Sequence, residues 1–318
     1  MLPSSATPAR GIGAIYQRAT HSAAALLVFT TLLWGCNAVA ARLAVGNISP
    51  MMLTTARWTI CCAALWLTAR HTIAAHWRPV ARSWRMVALM GTAGFTAFNA
   101  LFYAAAHHTS AINLAIIQGT IPVLVLVGSF LFMGRRFRPV QALGVAVTLA
   151  GCAVVASRGQ WQVLATLDFN EGDVWMLLAS LFYAGYMLGL TRRPPVPPVV
   201  FFAAAAGVAA LTSLPLLGWE VASGRFFMPT PTGWALMLFV GLLPSFVSQI
   251  TFIQAVGLIG PERAGVFVNL TPIFGPLLAV LVLGEPLHGF HVLALALVLG
   301  GIWIAERGPR ATAAKVAD

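Results

Sequence analysis

Carboxylates are scarce in this chain. It has 8 Asp and Glu among 318 residues against 19 Lys and Arg, and charged residues make up only 8%. A soluble domain carries roughly 25% charged residues, so ordinary packing in water is a poor description. No carboxylate falls deep within an apolar run; Glu262 and Glu285 stand at the ends of such runs. The buried acid that proton-driven carriers usually need is therefore missing. The four cysteines, Cys36, Cys61, Cys62 and Cys152, have no zinc-type spacing, and the adjacent pair cannot form an ordinary bridge. There is no Gly-Lys-Ser/Thr phosphate loop, no His-Glu-x-x-His helix and no nucleophile with a deep histidine base. These absences argue against ATP hydrolysis and against catalysis, so no catalytic residue, metal or cofactor is expected.

What is abundant is hydrocarbon. Hydrophobic residues reach 59%, arranged in ten runs long enough to cross about 30 Å of lipid as helices of about 20 residues. They cover 22–41, 51–69, 86–106, 111–133, 139–157, 172–191, 198–218, 233–256, 263–283 and 288–306. Lipid leaves the backbone of an open sheet unsatisfied, so the expected fold is an all-α integral membrane bundle of ten transmembrane helices.

The net charge of +11 reads as topology rather than as a nucleic-acid surface. With the N-terminus in the cytoplasm, that side collects Arg10, Arg18, Arg70, Arg78, Arg82, Arg85, Arg135, Arg136, Arg138, Arg192, Arg193, Arg263, Arg307, Arg310 and Lys315. The other side collects Arg42, Arg158 and Arg225, with Asp168, Glu171, Asp173, Glu220 and Glu285. The positive-inside rule then places both termini in the cytoplasm of a multi-pass inner (plasma) membrane protein. Arg10 and Arg18 before an apolar run resemble a signal peptide, but cleavage would remove the first of the ten helices.

The chain is also written twice. At an offset of 150, Gly91 matches Gly241, Phe102 matches Phe252, Pro122 matches Pro272, Gly134 matches Gly284 and Gly151 matches Gly301. Five helices is an odd number, so the second copy enters from the opposite side and the repeats are inverted. Substrate sites in such folds lie near the midplane between the halves. The expected division is a cytoplasmic tail 1–20, a first five-helix repeat 21–158, an external linker 159–171, a second repeat 172–308 and a cytoplasmic tail 309–318.

Trp34-Gly-Cys-Asn37, Pro50 followed by Arg57-Trp58, Gln118-Gly-Thr-Ile-Pro122 running to Gly134, and Asn269-Leu-Thr-Pro272 running to Gly284-Glu285-Pro286 carry a likeness. The chain resembles the EamA branch of the drug/metabolite transporter superfamily over residues 20–308. That resemblance implies a carrier that moves small metabolites, amino acids or drugs, mostly outward, by alternating access. The family commonly closes both copies with Gly-Glu; here Gly134 is followed by Arg135.

Polar side chains in hydrocarbon demand a partner or a watery cavity. Trp34, Asn37, Arg57, Asn99, Tyr103, Gln118, Tyr183, Tyr186, Gln249 and Asn269 are the expected lining of a substrate cavity, with Phe95, Phe98, Phe102, Phe246 and Phe252 as candidates for its apolar walls. Arg57 is the one charge well inside a span, about 10 Å from the helix start at Pro50. It can snorkel toward headgroups, or grip a substrate carboxylate, which suits a guanidinium fork. Pro122 and Pro272 are expected to kink their helices as hinges, with Gly94 and Pro244 a further paired weak point. His107, His108, His288 and His291 sit at shallow helix ends and would enter only if transport were pH-coupled.

The expected partners are a small-molecule substrate and the lipid bilayer, without nucleic acid, for a monomer or homodimer. An exporter of amino acids or amphipathic drugs is the leading expectation. A nucleotide-sugar or sugar-phosphate carrier is the alternative within transport. A non-transporting scaffold and an intramembrane enzyme are the remote ones.

Overall fold

The computed structural model describes residues 22–134, 138–160, 162–163, 169–259, 264 and 267–306. Both terminal tails, Arg135, Arg136, Asp168, Glu262 and Arg263 fall outside the described residues. Every regular element among the described residues is helical. Ten long helices are numbered here: α1 Ala23–Ala44, α2 Pro50–Ala75, α3 Trp84–Ala105, α4 Ala111–Met133, α5 Pro139–Ala156, α6 Glu171–Arg192, α7 Pro198–Ala222, α8 Pro231–Ile259, α9 Thr271–Leu283 and α10 Gly289–Glu306. A six-residue helix, Trp77–Arg82, joins α2 to α3.

Seven of these helices, α1 and α3 to α8, are long and apolar enough to cross a membrane. The apolar helices α9 and α10 are shorter. α2 has 26 residues, but Arg57, Arg70 and its threonines lower its hydropathy. The lipid-facing character is visible in side chains left bare, such as Leu67, Leu89, Phe132 and Leu281, each more than 60% exposed. In water such a surface would be a large unburied apolar patch.

The chain punctuates its helices in ways its residue types dictate. Pro50, Pro139, Pro198 and Pro231 open α2, α5, α7 and α8, where a missing N–H costs nothing. Ser110 and Thr230 cap α4 and α8, accepting from Asn113 N and Gly233 N, each at 3.1 Å. The paired glycines Gly134 and Gly284 end α4 and α9 in the left-handed region, at φ 63° and 65°. That backbone geometry explains why both copies keep glycine there.

The two copies run in opposite directions. Glu285, just past the end of α9, meets Ala111 at the start of α4, the repeat mate of α9. Ser49 before α2, Glu220 near the end of α7, and Asn47 with Thr230 before α8 all meet at this same face. We call it the acidic face; the opposite, basic face carries Arg70, Arg78, Arg82, Arg85, Arg138, Arg192 and Arg193. Asp173 and Glu220 are 3% and 4% exposed, so these carboxylates are drawn into packing rather than left as solvated loop charges.

Three helices contain turns wound wider than an α-helix. The π-turn Thr92–Ala97 in α3 corresponds to Gly241–Val247 in α8 at the repeat offset, so the weak point expected at Gly94 and Pro244 is a widened turn in both copies. A third, Ala279–Leu283, follows Pro276 in α9 and has no mate in α4. The α4 helix breaks at Gly119–Thr120, and α9 is preceded by the equivalent break at Asn269–Leu270. Pro122 and Pro272, expected to kink these helices, each stand second in the segment after the break. Lacking an N–H, Pro122 and Pro272 cannot donate to the carbonyls of Gln118 and Val268, just before each break.

α5 and α10 pack against each other through small residues. A Cβ on Gly144 would meet the backbone of Gly301 and Ala305, and one on Gly151 would meet the Ala294 carbonyl. Close backbone approach of this kind substitutes for hydrophobic driving force in lipid.

Candidate functional site

Between the two halves lies a cavity of about 340 Å³, at the small end of ligand-pocket sizes of roughly 300–1,000 Å³. Seven helices contribute to it: α1, α2, α3, α4, α6, α8 and α9, together with the break leading into α9. Trp34, Asn37, Arg57, Asn99, Gln118, Tyr183, Gln249 and Asn269 all line it, as do Pro122 and Pro272. Two of the expected residues sit elsewhere. Tyr103 lies behind the wall, bonded to Arg57 and Asn37. Tyr186 turns its ring onto Phe95 and Tyr183 and borders a separate recess between α3 and α6. Among the lining residues with a polar side-chain atom, Trp58, Ser245 and Thr271 were not anticipated. Ser245 carried no signal, because a serine beside a proline in an apolar run is ordinary.

Arg57 is 5% exposed and does not snorkel. Its Nε donates to Ser245 Oγ at 2.9 Å. Nη1 donates to Asn99 Oδ1 and, at 2.6 Å, to Tyr103 Oη. The Tyr103 hydroxyl donates onward to Asn37 Oδ1 at 3.0 Å. The guanidinium carbon also lies 5.1 Å from the Trp58 ring centre and 5.6 Å from that of Tyr103, within cation–π range. All these partners are neutral. A guanidinium has five N–H donors, and among the described residues the pair on Nη2 has no acceptor. Arg57 is also the one charged residue among the described residues lining the cavity.

The walls are aromatic. Trp58 stacks on Phe95 at 4.5 Å with planes 11° apart. Phe98 packs on Tyr183 at 5.0 Å and Trp34 on Phe252 at 5.4 Å. Trp34 is anchored by its indole N–H, which donates to Ser248 Oγ at 3.1 Å. The Trp58 indole nitrogen and the Thr271 hydroxyl are buried without a hydrogen-bond partner. Gln118 and Gln249 reach the cavity with amides that bond no other described residue. The result is an apolar chamber with one cation and several uncommitted polar groups, suited to a small ligand with an anionic end and an apolar body.

The cavity is sealed toward the acidic face. Ala38, Ala41, Phe102, Ala105, Ala106, Ile112, Leu114 and Ile116 fill that side and are each 1% exposed or less. On the basic side, Val125, Met187 and Val268 are partly exposed. Among the described residues no cluster of His, Cys, Asp and Glu could hold a metal ion.

The EamA-like transporter family model matches residues 21–157 and again 170–306. The chain belongs to this family. It is thus a multi-pass inner-membrane transporter, and relatives with names of that kind cover most of it. A probable terminal-alkyne amino-acid exporter of Streptantibioticus cattleyicolor is 27% identical over 88% of this chain and 92% of its own. The uncharacterized inner membrane transporter YedA of Escherichia coli is 24% identical over 87% and 88%. The aromatic amino acid exporter YddG of Ancylobacter novellus is 22% identical over 90% and 98%. A crystal structure sharing 21% identity superposes with a TM-score of 0.61 over 90% of this chain and 98% of the other, a likeness of fold.

Proposed function

We propose that this EamA-family protein exports small organic carboxylates with an apolar or aromatic body, amino acids among them, by alternating access around the cavity. The observation that carries this reading is Arg57: a buried cation with only neutral partners, on the cavity wall, with its Nη2 donors unused. A buried unpaired charge is costly, and removing one partner of such a pair typically costs about 3–5 kcal/mol. An anionic substrate would supply the missing partner. Two relatives are named as amino-acid exporters, which agrees with this chemistry.

In this reading all ten helices cross the membrane, both termini lie in the cytoplasm, and the acidic face is external, as the arginine distribution favours. The packed layer beside the acidic face is then the closed outer gate. Pro122, Pro272 and the breaks beside them are the hinges of the cycle. A sugar-phosphate or nucleotide-sugar carrier would need several cations around its substrate, and the described lining supplies one.

The test is flux in proteoliposomes of purified protein, with labelled aromatic and aliphatic amino acids and sugar phosphates, with and without a pH gradient. Saturable transport of a carboxylate, lost in Arg57→Gln, supports the reading. Transport of sugar phosphates alone refutes it.

A further inference from the structure

Arg57 stands between the two widened turns. In α8, Pro244 has no N–H, so it cannot donate to the Val240 carbonyl as a helix residue ordinarily does. The π-turn gives that carbonyl the N–H five residues on; the Ser245 hydroxyl adds a second bond to it, donating to Val240 O at 2.7 Å, and accepts in turn from Arg57 Nε at 2.9 Å. In α3, Asn99 Nδ2 donates at 2.6 Å to the carbonyl of Phe95, inside the other π-turn, while its Oδ1 accepts from Arg57 Nη1. One guanidinium therefore braces both π-turns, and its bond to Ser245 crosses from the first half to the second.

A carboxylate grips a guanidinium best with two parallel N–H bonds. The free Nη2 offers only one side of such a grip. The second bond must come from Nε, which Ser245 now occupies, or from Nη1, which already serves both Asn99 and Tyr103. Using Nε and Nη2 breaks a single contact and leaves both bonds within the first half intact. The contact it breaks is a hydrogen bond between α2 and α8.

We propose that Ser245 is a positioning residue of the transport cycle: a substrate carboxylate bound to Nε and Nη2 of Arg57 displaces it and frees the π-turn of α8 to move against α2 and α3. Occupancy of the cavity is thereby transmitted to the boundary between the halves. This rests on the carboxylate reading above, and deepens it by naming the contact that the substrate competes with. A ligand shifts a conformational equilibrium only through contacts that differ between the two states, and the Arg57–Ser245 bond is such a contact.

The test is hydrogen–deuterium exchange on the intact purified protein with L-phenylalanine, L-leucine and 3-phenylpropionate, each beside its amide. The carboxylates are expected to speed exchange in residues 241–247 of the wild type by about threefold or more, as a local opening does, and the amides to leave it unchanged. In Ser245→Ala the carboxylates should bind about fivefold more tightly, the equivalent of one net hydrogen bond no longer displaced, with turnover reduced. The amides should bind as before, and Ser245→Thr should restore wild-type behaviour. A merely structural serine would not separate acids from amides. If the carboxylates bind through Arg57 yet exchange at 241–247 does not respond, the proposal is wrong while the carboxylate reading stands. If none of the three acids binds, the reading falls and the proposal with it.

Discussion

Glu285 receives the backbone N–H of Ala111 at 2.9 Å and that of Ile112 at 3.1 Å, so the end of α9 caps the start of its own repeat mate, α4. Glu220, on α7, does the same for α2. It takes the Ser49 hydroxyl at 2.6 Å and the Met51 and Met52 amides at 3.1 and 3.2 Å. Both carboxylates belong to the second half and both helix N-termini to the first. Each contact joins a negative charge to the positive end of a helix. They are the polar fastening over the packed layer that closes the acidic face.

Glu220→Gln and Glu285→Gln are therefore expected to favour the state open at that face. Each lost charge–dipole contact is worth about 0.3–1 kcal/mol, and up to about 2 where partly buried. That corresponds to a population change of roughly fivefold for 1 kcal/mol. A cysteine at Leu114, buried within the layer, reports it in a background without other cysteines. Its labelling from the acidic side should quicken in either variant and further in the double. Unchanged labelling would mean that these two carboxylates do not hold the face shut.

The seam between α5 and α10 makes a sharper prediction, because adjacent glycines face opposite ways. A Cβ on Gly301 would run into Thr148 and the Gly144 backbone, whereas one on Gly300 meets nothing within 4 Å. Gly301→Ala should destabilise the protein by about 1–3 kcal/mol through overpacking. Gly300→Ala should instead gain up to about 1 kcal/mol of helix propensity. Thermal unfolding in detergent should move the two variants in opposite directions. Equal shifts would show that the seam does not hold its close approach.

His107 lies at the acidic face, beyond the end of α3. Burial, reinforced by the charges of His108 and Arg42, holds its imidazole below the ordinary histidine range. The folded state thus binds this proton less readily than the unfolded chain. Stability from the neutral form is present above the unfolded pKa of about 6.5 and is lost as pH falls below it. Wild type should lose thermal stability on mild acidification, and His107→Gln should lose less. Both retain His108, which contacts Glu171 at 2.6 Å. Parallel acid profiles would assign the loss to other groups.

Much of this architecture was legible because lipid simplifies the problem. Long apolar runs, arginine distribution and matched glycines and prolines need no side-chain geometry to be read. Gly134 and Gly284 announced a shared backbone conformation, and Gly94 with Pro244 announced the widened turns. Pro122 and Pro272 marked where α4 and the approach to α9 are interrupted, but not that the interruption takes the form of a two-residue break. The polar residues that reach the cavity were visible as amides and aromatics out of place in hydrocarbon. Tyr186 and Tyr103 could not be separated from them, because a few degrees of helix rotation decide which side of a wall a ring occupies. Ser245 was invisible for the opposite reason: what marks it is a bond from Arg57, a residue 188 positions away in sequence.

Arg57 itself separates charge from geometry. Arg57→Lys keeps a cation near the cavity but not the planar fork, so it cannot keep Asn99 and Tyr103 while gripping a carboxylate with two prongs. Arg57→Gln removes the charge as well. Truncating one partner of a buried charged contact costs about 2–5 kcal/mol, so Gln should weaken carboxylate binding by at least about thirtyfold while an uncharged amide analogue changes little. Lys should fall between the two for carboxylates. The comparison is made by calorimetric titration of matched acids and amides, with expression and thermal stability checked alongside. Were acid and amide weakened equally by Gln, Arg57 would be a brace for α2, α3 and α8, and the substrate's anionic end would have to be sought among the amides of Gln118 and Gln249. Were Lys to equal wild type, a point charge would suffice, and displacement of Ser245 by a two-pronged grip would no longer follow.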